Sequence, residues 1–314
     1  MAFDLTEPLV IGISSRALFD LEEENRIFEQ QGLEAYARWQ VEHERDLLGK
    51  GQAFNLVKAF LGINNLVQDR RLTEVVVMSR NSPDTSLRIF HSISHYGLDI
   101  TRAALTGGAD VAPYVQAFHT DLFLSANEQD VKQAVDDGIA AGMILTGERH
   151  SDADAQVDQI RIAFDGDAVL FSAQSERIYQ QAGVDAFIRH ERDKADVPME
   201  KGPFANFLVA LGRLQNLRTP GGLPVVRTAL VTSRNLPAQE RAIRTLRAWG
   251  VRVDEAYFLG GVEKREILSA FGAHIFFDDQ RRHAVPAAKV VPSAVVPYRA
   301  GDDPRQPLDQ AENE

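Results

Sequence analysis

The chain contains no cysteine in 314 residues, which excludes disulfides, thiolate metal sites and a cysteine nucleophile. No apolar run approaches the ~20 residues of a membrane-spanning helix. The N-terminal MAFDLTEPLVIGIS has no basic segment ahead of its short apolar stretch, so it does not read as a signal peptide. A cytoplasmic protein without a membrane partner is expected. Basic residues are also scarce, with 34 Lys and Arg against 45 Asp and Glu for a net charge of −11. Residues 1–150 carry 13 basic against 22 acidic groups, and residues 151–314 carry 21 against 23. A surface this acidic repels phosphate backbones, so nucleic acid is not an expected partner. A small anionic substrate remains compatible, because a local cluster of donors or a metal ion outweighs the global field. The charge split favours the second half for such a site. The remaining composition, 44% hydrophobic and 25% charged, is that of an ordinary globular chain of roughly two domains' length.

The chain is written twice. RIFEQQGLEAY (26–36) matches RIYQQAGVDAF (177–187), and GQAFNLVKAFLGINNL (51–66) matches GPFANFLVALGRLQNL (202–217), both 151 residues apart. VVVMSRN (75–81) returns as ALVTSRN (229–235), GLDITRAALTGG (97–108) as GVRVDEAYFLGG (250–261), and LFLSAN (122–127) as IFFDDQ (275–280), at spacings of 153 or 154. Ordered matches with so little drift indicate a duplicated fold rather than a solenoid, whose repeats are much shorter. Each copy opens on a β-rich run, LVIGIS (9–14) or QIRIAF (159–164). About fifty mainly helical residues follow, then apolar strands alternating with amphipathic helices. That alternation predicts an α/β fold with a parallel sheet covered on both faces. The helical stretch after the first strand is expected to hang as a cap over the carboxyl ends of the strands, where open α/β sheets bind ligands. The domains expected are 1–150, 151–298 with a cap at about 173–217, and a polar, frayed tail at 299–314. VPAAKVVPSAVVPY adds a last strand.

The duplication is its own control, since a reactive group found in one copy only is not required by the shared scaffold. Asp165 stands opposite Ser14, Asp167 opposite Arg16, Thr232 opposite Met78, Lys264 opposite Val111, and Asp278 and Asp279 opposite Ser125 and Ala126. The second copy thus gathers carboxylates, a lysine and a hydroxyl at strand or helix ends. Several carboxylates together require a cation, and all-oxygen ligation favours Mg²⁺ completed by substrate phosphate. A lysine and a hydroxyl hold further phosphate oxygens. One Asp can attack phosphorus, and a second, two residues on, can protonate the leaving alcohol.

The order of these motifs, with apolar runs ending in DxD, T and DD and a lysine between the last two, resembles the haloacid-dehalogenase (HAD) superfamily of phosphatases. FDGDAVLFS (164–172), LVTSR (230–234) and HIFFDDQ (274–280) are similar to those of the cytosolic type-I 5′-nucleotidases. The likeness continues into the first half, through IGISSRALFD (11–20) and HYGLDI…LTGG. The resemblance implies two HAD-like (Rossmannoid) domains, the second catalytic. It also implies Mg²⁺-dependent hydrolysis of nucleoside 5′-monophosphates to nucleoside and phosphate through an aspartyl-phosphate. Asp165 would be the nucleophile and Asp167 the general acid, then base. Thr232 and Lys264 would bind the phosphoryl group, and Asp165, Asp167, Asp278 and Asp279 would supply the metal site.

Blander readings stand beside these. Asp-Gly is a common turn signal, Asp278-Asp279 can cap a following helix, and Lys264 lies in EKRE, which alone reads as a solvated helix face. Ser233, Arg234 and Asn235 recur in both copies and read as shared structure, with Arg234 a lesser candidate for phosphate. The Gly-Gly pairs at 107–108 and 260–261 read as tight turns. His91 and His95 have helical metal-ligand spacing, but no third ligand is apparent and the second copy aligns Thr245 and Trp249 there. Ser14, Ser15 and Arg16 form a regulatory phosphate site for a nucleotide effector, or else belong to a copy kept for packing. Phe187, Phe204 and Phe207 serve the core or stack on a base. Two other functions stay open, a phosphatase for a sugar phosphate or other small phosphomonoester and a nucleotide-binding regulator with little turnover. A homo-oligomer is compatible with either.

Overall fold

The computed structural model describes residues 3–67, 69–147 and 159–304. Its strands, in chain order, are β1 (Leu9–Ile13), β2 (Phe19–Asp20), β3 (Gly49–Lys50), β4 (Thr73–Ser79), β5 (Arg102–Leu105), β6 (Leu122–Ser125), β7 (Ala140–Ile144), β8 (Ile160–Phe164), β9 (Val226–Thr232), β10 (Glu255–Phe258), β11 (Ile275–Asp278) and β12 (Ser293–Val295). β2 and β3 pair as a small ribbon, and the other ten make one sheet in the order β10-β9-β8-β11-β12-β7-β6-β1-β4-β5. All pairs in that sheet are parallel except β7 with β12. Counted outward from this antiparallel junction, the order is β7-β6-β1-β4-β5 on one side and β12-β11-β8-β9-β10 on the other. Each strand therefore occupies the same place as its counterpart in the other half.

Alternation along the strands sorts side chains to the two faces. On one face a single apolar cluster spans both halves, joining Ile11, Phe54 and Phe60 to Phe164, Phe204 and Phe277. On the other face the core is divided, with Val10 and Phe123 in one cluster and Val231 and Phe276 in another. The two halves thus share one sheet and one layer of core. β7 is the strand that apolar patterning did not reveal, because AAGMI opens on three small residues. The junction requires them, since a Cβ on Gly142 would lie 2.9 Å from the Ala294 Cβ and 3.0 Å from Phe277.

The expected insertion in the second half consists of helices Gln174–Asp193 and Ala205–Gln215. The first contributes no residue to the shared core. The second buries Phe207, Leu208, Leu211 and Leu214 in the shared core. Phe204 and Phe207 are fully buried in the shared core, whereas Phe187 is buried outside it, its ring 5.3 Å from the Arg234 guanidinium. Chain beyond the expected domain end is anchored, with the Ala300 N–H donating to Asp136 (2.7 Å) and Arg177 donating to the Gly301 carbonyl (3.1 Å). Residues 305–314 of the expected tail lie outside the described residues.

Several hydrogen bonds of the first half have a matching bond in the second. The Leu48 N–H donates to Ser92 (3.0 Å) as Met199 N–H does to Thr245 (3.0 Å). His91 and His95 therefore stand opposite Arg244 and Ala248, one position away from the Thr245 and Trp249 expected. The Ala53 N–H donates to the Ala17 carbonyl (3.0 Å) as Phe204 N–H does to Val169 (2.9 Å). Ala17 thus matches Val169 while Arg16 matches Asp167, so the second half holds one extra residue, Ala168. It sits at φ 60°, a left-handed conformation that a side chain adopts at some cost. The extra residue turns the four-residue helical turn Ser15–Leu18 into the wider turn Gly166–Leu170 that carries Asp167.

Candidate active site

The parallel register brings the second-half acids together. Phe277 pairs with Phe164 across β11 and β8, and the ladder continues one step as Asp165 N–H donates to the Phe277 carbonyl at 2.8 Å. Asp165 and Asp278 thereby emerge side by side at two strand ends. Lys264, one residue before helix Arg265–Phe271, places its Nζ between them, donating to Asp165 Oδ1 at 2.7 Å and Asp278 Oδ2 at 2.6 Å. All three side chains are buried. The solvated-face reading of Lys264 is thus excluded.

Asp279 completes a cluster in which carboxylate oxygens of Asp165, Asp278 and Asp279 lie within 4.8 Å of one another. It is the only such cluster of potential ligands among the described residues, so His91 and His95 join none. Asp279 Oδ2 accepts from the Tyr298 hydroxyl at 2.5 Å, while its Oδ1 is buried without a hydrogen-bond partner. An orphaned carboxylate oxygen beside two further carboxylates is what a hard cation completes, so these residues fit a divalent metal. Electrostatics agree. Burial pushes the Asp165 carboxyl up to about 6 against the pull of Lys264. Burial and the neighbouring Asp278 and Asp165 carboxylates hold Asp279 well above the usual range. Asp278 goes the other way, because Lys264 and His283 outweigh its burial. Burial opposes the Lys264 charge, but the two carboxylates outweigh it and keep the ammonium charged.

Thr232 ends β9 almost fully buried, and its Oγ1 accepts the Arg234 N–H at 3.2 Å. It lies against the start of the wide turn, since a Cβ on Gly166 would be 3.3 Å from that Oγ1. Asp167 does not join the carboxylate cluster expected to include it. Its two oxygens are taken by Arg234, whose Nε donates to Oδ2 at 2.8 Å and Nη2 to Oδ1 at 2.6 Å. In the first half, Ser14 Oγ accepts the N–H groups of Ala17 and Ala126 (both 3.3 Å) and Ser15 bonds Ser79 (3.1 Å). Arg16 pairs with Glu22 at 3.0 Å.

Sequence reasoning missed Tyr298 and, on helix Gln174–Asp193, Glu191. Tyr298 carried no local signal, being the last letter of a stretch read as a strand. Glu191 did carry one, for at the 151-residue spacing it stands opposite Gln40.

The sequence matches the 5′-nucleotidase family over residues 1–303. It is 38% identical to the human protein named cytosolic 5′-nucleotidase 1B over 292 residues, which is 90% of this chain and 47% of that protein. The chain therefore spans about half the length of this curated relative. No helix among the described residues is long and apolar enough to cross a membrane.

Proposed function

The chain belongs to the 5′-nucleotidase family, and from that membership we propose that its second half hydrolyses nucleoside 5′-monophosphates to nucleoside and phosphate. The observation that carries this reading is the buried bridge of Lys264 between Asp165 and Asp278, beside the unpartnered oxygen of Asp279. A lone ammonium leaves three crowded carboxylates with two uncompensated negative charges, which one divalent cation balances.

Asp165 is the nucleophile. Lys264 holds its Oδ1, so Oδ2 attacks phosphorus, and the P–O5′ bond breaks with its electron pair going to O5′. Asp167 gives that oxygen a proton, and nucleoside leaves. Asp167, now ionised, takes a proton from water as the water oxygen attacks phosphorus. The bond from phosphorus to Asp165 then breaks, returning the carboxylate and releasing phosphate. Lys264 and Thr232 donate to the phosphoryl oxygens. Asp165, Asp278 and Asp279 would hold Mg²⁺, which when bound supplies positive charge against the transferring group. The equivalent strand positions of the two halves and their matching hydrogen bonds support a duplicated HAD-like unit in which only the later copy kept the acids. The contacts of Ser14, Ser15 and Arg16 with their own half support a packing role for the first copy over an effector site.

Phosphate release measured over a panel of nucleoside monophosphates, sugar phosphates and simple phosphomonoesters tests the assignment. Nucleoside monophosphates should be turned over at least tenfold faster, by kcat/KM, than the rest. Equal or better turnover of a sugar phosphate overturns the substrate reading while leaving the chemistry intact.

A further inference from the structure

Arg234 is present in both halves, as Arg80 in the first, yet the two arginines do different things. Arg80 turns to Asp130, with Nη2 at 2.5 Å and Nε at 2.9 Å from the same oxygen. Arg234 instead grips Asp167 with Nε and Nη2, and its Nη1 reaches Glu191 of the cap helix. Glu191 is itself fixed, accepting from Ser175 at 2.8 Å and from Arg241 at 3.1 Å. Arg234 is 3% exposed and Glu191 1%.

The first half shows how this arrangement is specific. Where Asp167 stands it has Arg16, and an arginine there repels another arginine. At the 151-residue spacing Glu191 stands opposite Gln40, and Ser175 opposite Glu24. Between the copies a carboxylate has moved from one end of the helical segment to the other. Its arginine partner serves either position, for Arg88 pairs with Glu24 in one half and Arg241 with Glu191 in the other. Only the half with catalytic acids thus puts a carboxylate where it can hold the strand-end arginine against the residue two positions after the nucleophile.

We propose that Arg234 is the positioning residue for Asp167, and that Glu191 clamps Arg234 so that docking of the cap helix and placement of the acid are a single event. This rests on the reading of Asp167 as the proton donor to the leaving oxygen. The geometry suits that task. A bidentate guanidinium fixes the plane of a carboxylate, and each oxygen keeps a second lone pair for the proton. Uncompensated burial of two carboxylates or two arginines would be costly. The set of Asp167, Glu191, Arg234 and Arg241 is neutral when Asp167 is ionised, the form that accepts the proton of the attacking water. It gains one positive charge when Asp167 carries the proton for the leaving oxygen.

The test uses the dependence of first-turnover release on the leaving group. A nucleoside alkoxide needs a proton to leave, whereas 4-nitrophenolate does not. Arg234→Lys keeps the charge and loses the fork. It should slow first-turnover release of nucleoside from a nucleoside monophosphate by about 100-fold or more, and release of one equivalent of 4-nitrophenolate by less than tenfold. Glu191→Gln should show the same split at smaller size, and it carries the test alone if Arg234→Lys does not fold. Asp167→Asn is the reference. If it splits the two substrates and neither clamp variant does, the clamp is wrong and the acid assignment stands. If Asp167→Asn slows both equally, the acid assignment fails and the clamp falls with it. Equal slowing of both substrates in the clamp variants alone marks an ordinary structural ion pair and overturns the proposal.

Discussion

Lys264 and Asp165 come from segments 99 residues apart and meet at 2.7 Å in a buried site. The pair is made by topology, since β8 lies between β9 and β11 and Lys264 immediately precedes the helix that connects β10 to β11. Substituting either residue separates chemistry from folding. Asp165→Asn keeps shape and hydrogen-bonding capacity but removes the attacking oxyanion. Phosphate release should fall by at least about 10³-fold, with the circular dichroism spectrum and melting profile preserved. Substantial residual hydrolysis would falsify the nucleophile assignment.

The carboxylate cluster predicts how metal and proton compete. With Asp165 raised to about 6 and Asp279 held well above the usual carboxylate range, a cation must displace protons in mildly acidic solution. Mg²⁺ should raise the melting temperature at pH 7.5, and the rise should shrink steadily as the pH is lowered through 6. Asp279→Asn removes the ligand with the orphaned oxygen and should cut the Mg²⁺-induced rise by at least half. A rise that is unchanged by pH and by this substitution places the cation elsewhere.

Much of this site was legible because the likeness of the two halves in sequence let one serve as a control for the other. Asp165, Lys264 and Asp278 have no ionisable counterpart, and the structure brings all three together. The same control hid Arg234. Its counterpart Arg80 is identical, and the difference lies in the partners, Asp167 and Glu191 against Asp130. Residue identity does not encode which neighbour a long side chain selects. Strands with β-branched runs, such as β4, announced themselves. β7 did not, because tight packing across the junction selects Ala140, Ala141 and Gly142, which are depleted in strands. A sheet continuous through both halves depends on that one antiparallel pairing, so it was not readable from either copy alone.

Gly202 sets how closely the chain returning from the cap approaches the wide turn. Its N–H donates to the Leu170 carbonyl at 2.8 Å, and a Cβ would lie 2.3 Å from the Phe171 oxygen and 2.5 Å from that of Val169. Both obstacles are backbone and cannot swing aside. Gly202→Ala should cost about 3 kcal/mol of stability and, because the displaced turn carries Asp167, lower kcat of the folded fraction. Gly51→Ala meets the Leu18 backbone at 2.7 Å in the first half. It should cost comparable stability without lowering kcat per folded molecule. Denaturant unfolding with active-site titration separates the two. Equal loss of kcat in both variants contradicts a specific role for the second turn.

His274 should give the protein an acid-sensitive stability unrelated to catalysis. Its Nδ1 accepts the Arg161 N–H at 2.9 Å, a bond that requires that nitrogen unprotonated. In the first half Asp121 accepts the corresponding N–H, that of Val10, at 2.8 Å. Burial, with the Arg161 charge, lowers the His274 pKa from 6.5 to about 4. The unfolded chain therefore binds a proton between pH 6.5 and 4 that the folded chain refuses. The associated stability is whole above pH 6.5 and is lost progressively as the pH falls toward 4, by on the order of 2 kcal/mol once partial exposure is allowed for. His274→Asn keeps an acceptor of similar reach and does not titrate. Urea unfolding at pH 7.5, 6.0 and 4.5 should show a shallower decline for this variant than for the parent chain, with similar stability at pH 7.5. Parallel declines would assign the acid sensitivity to other groups.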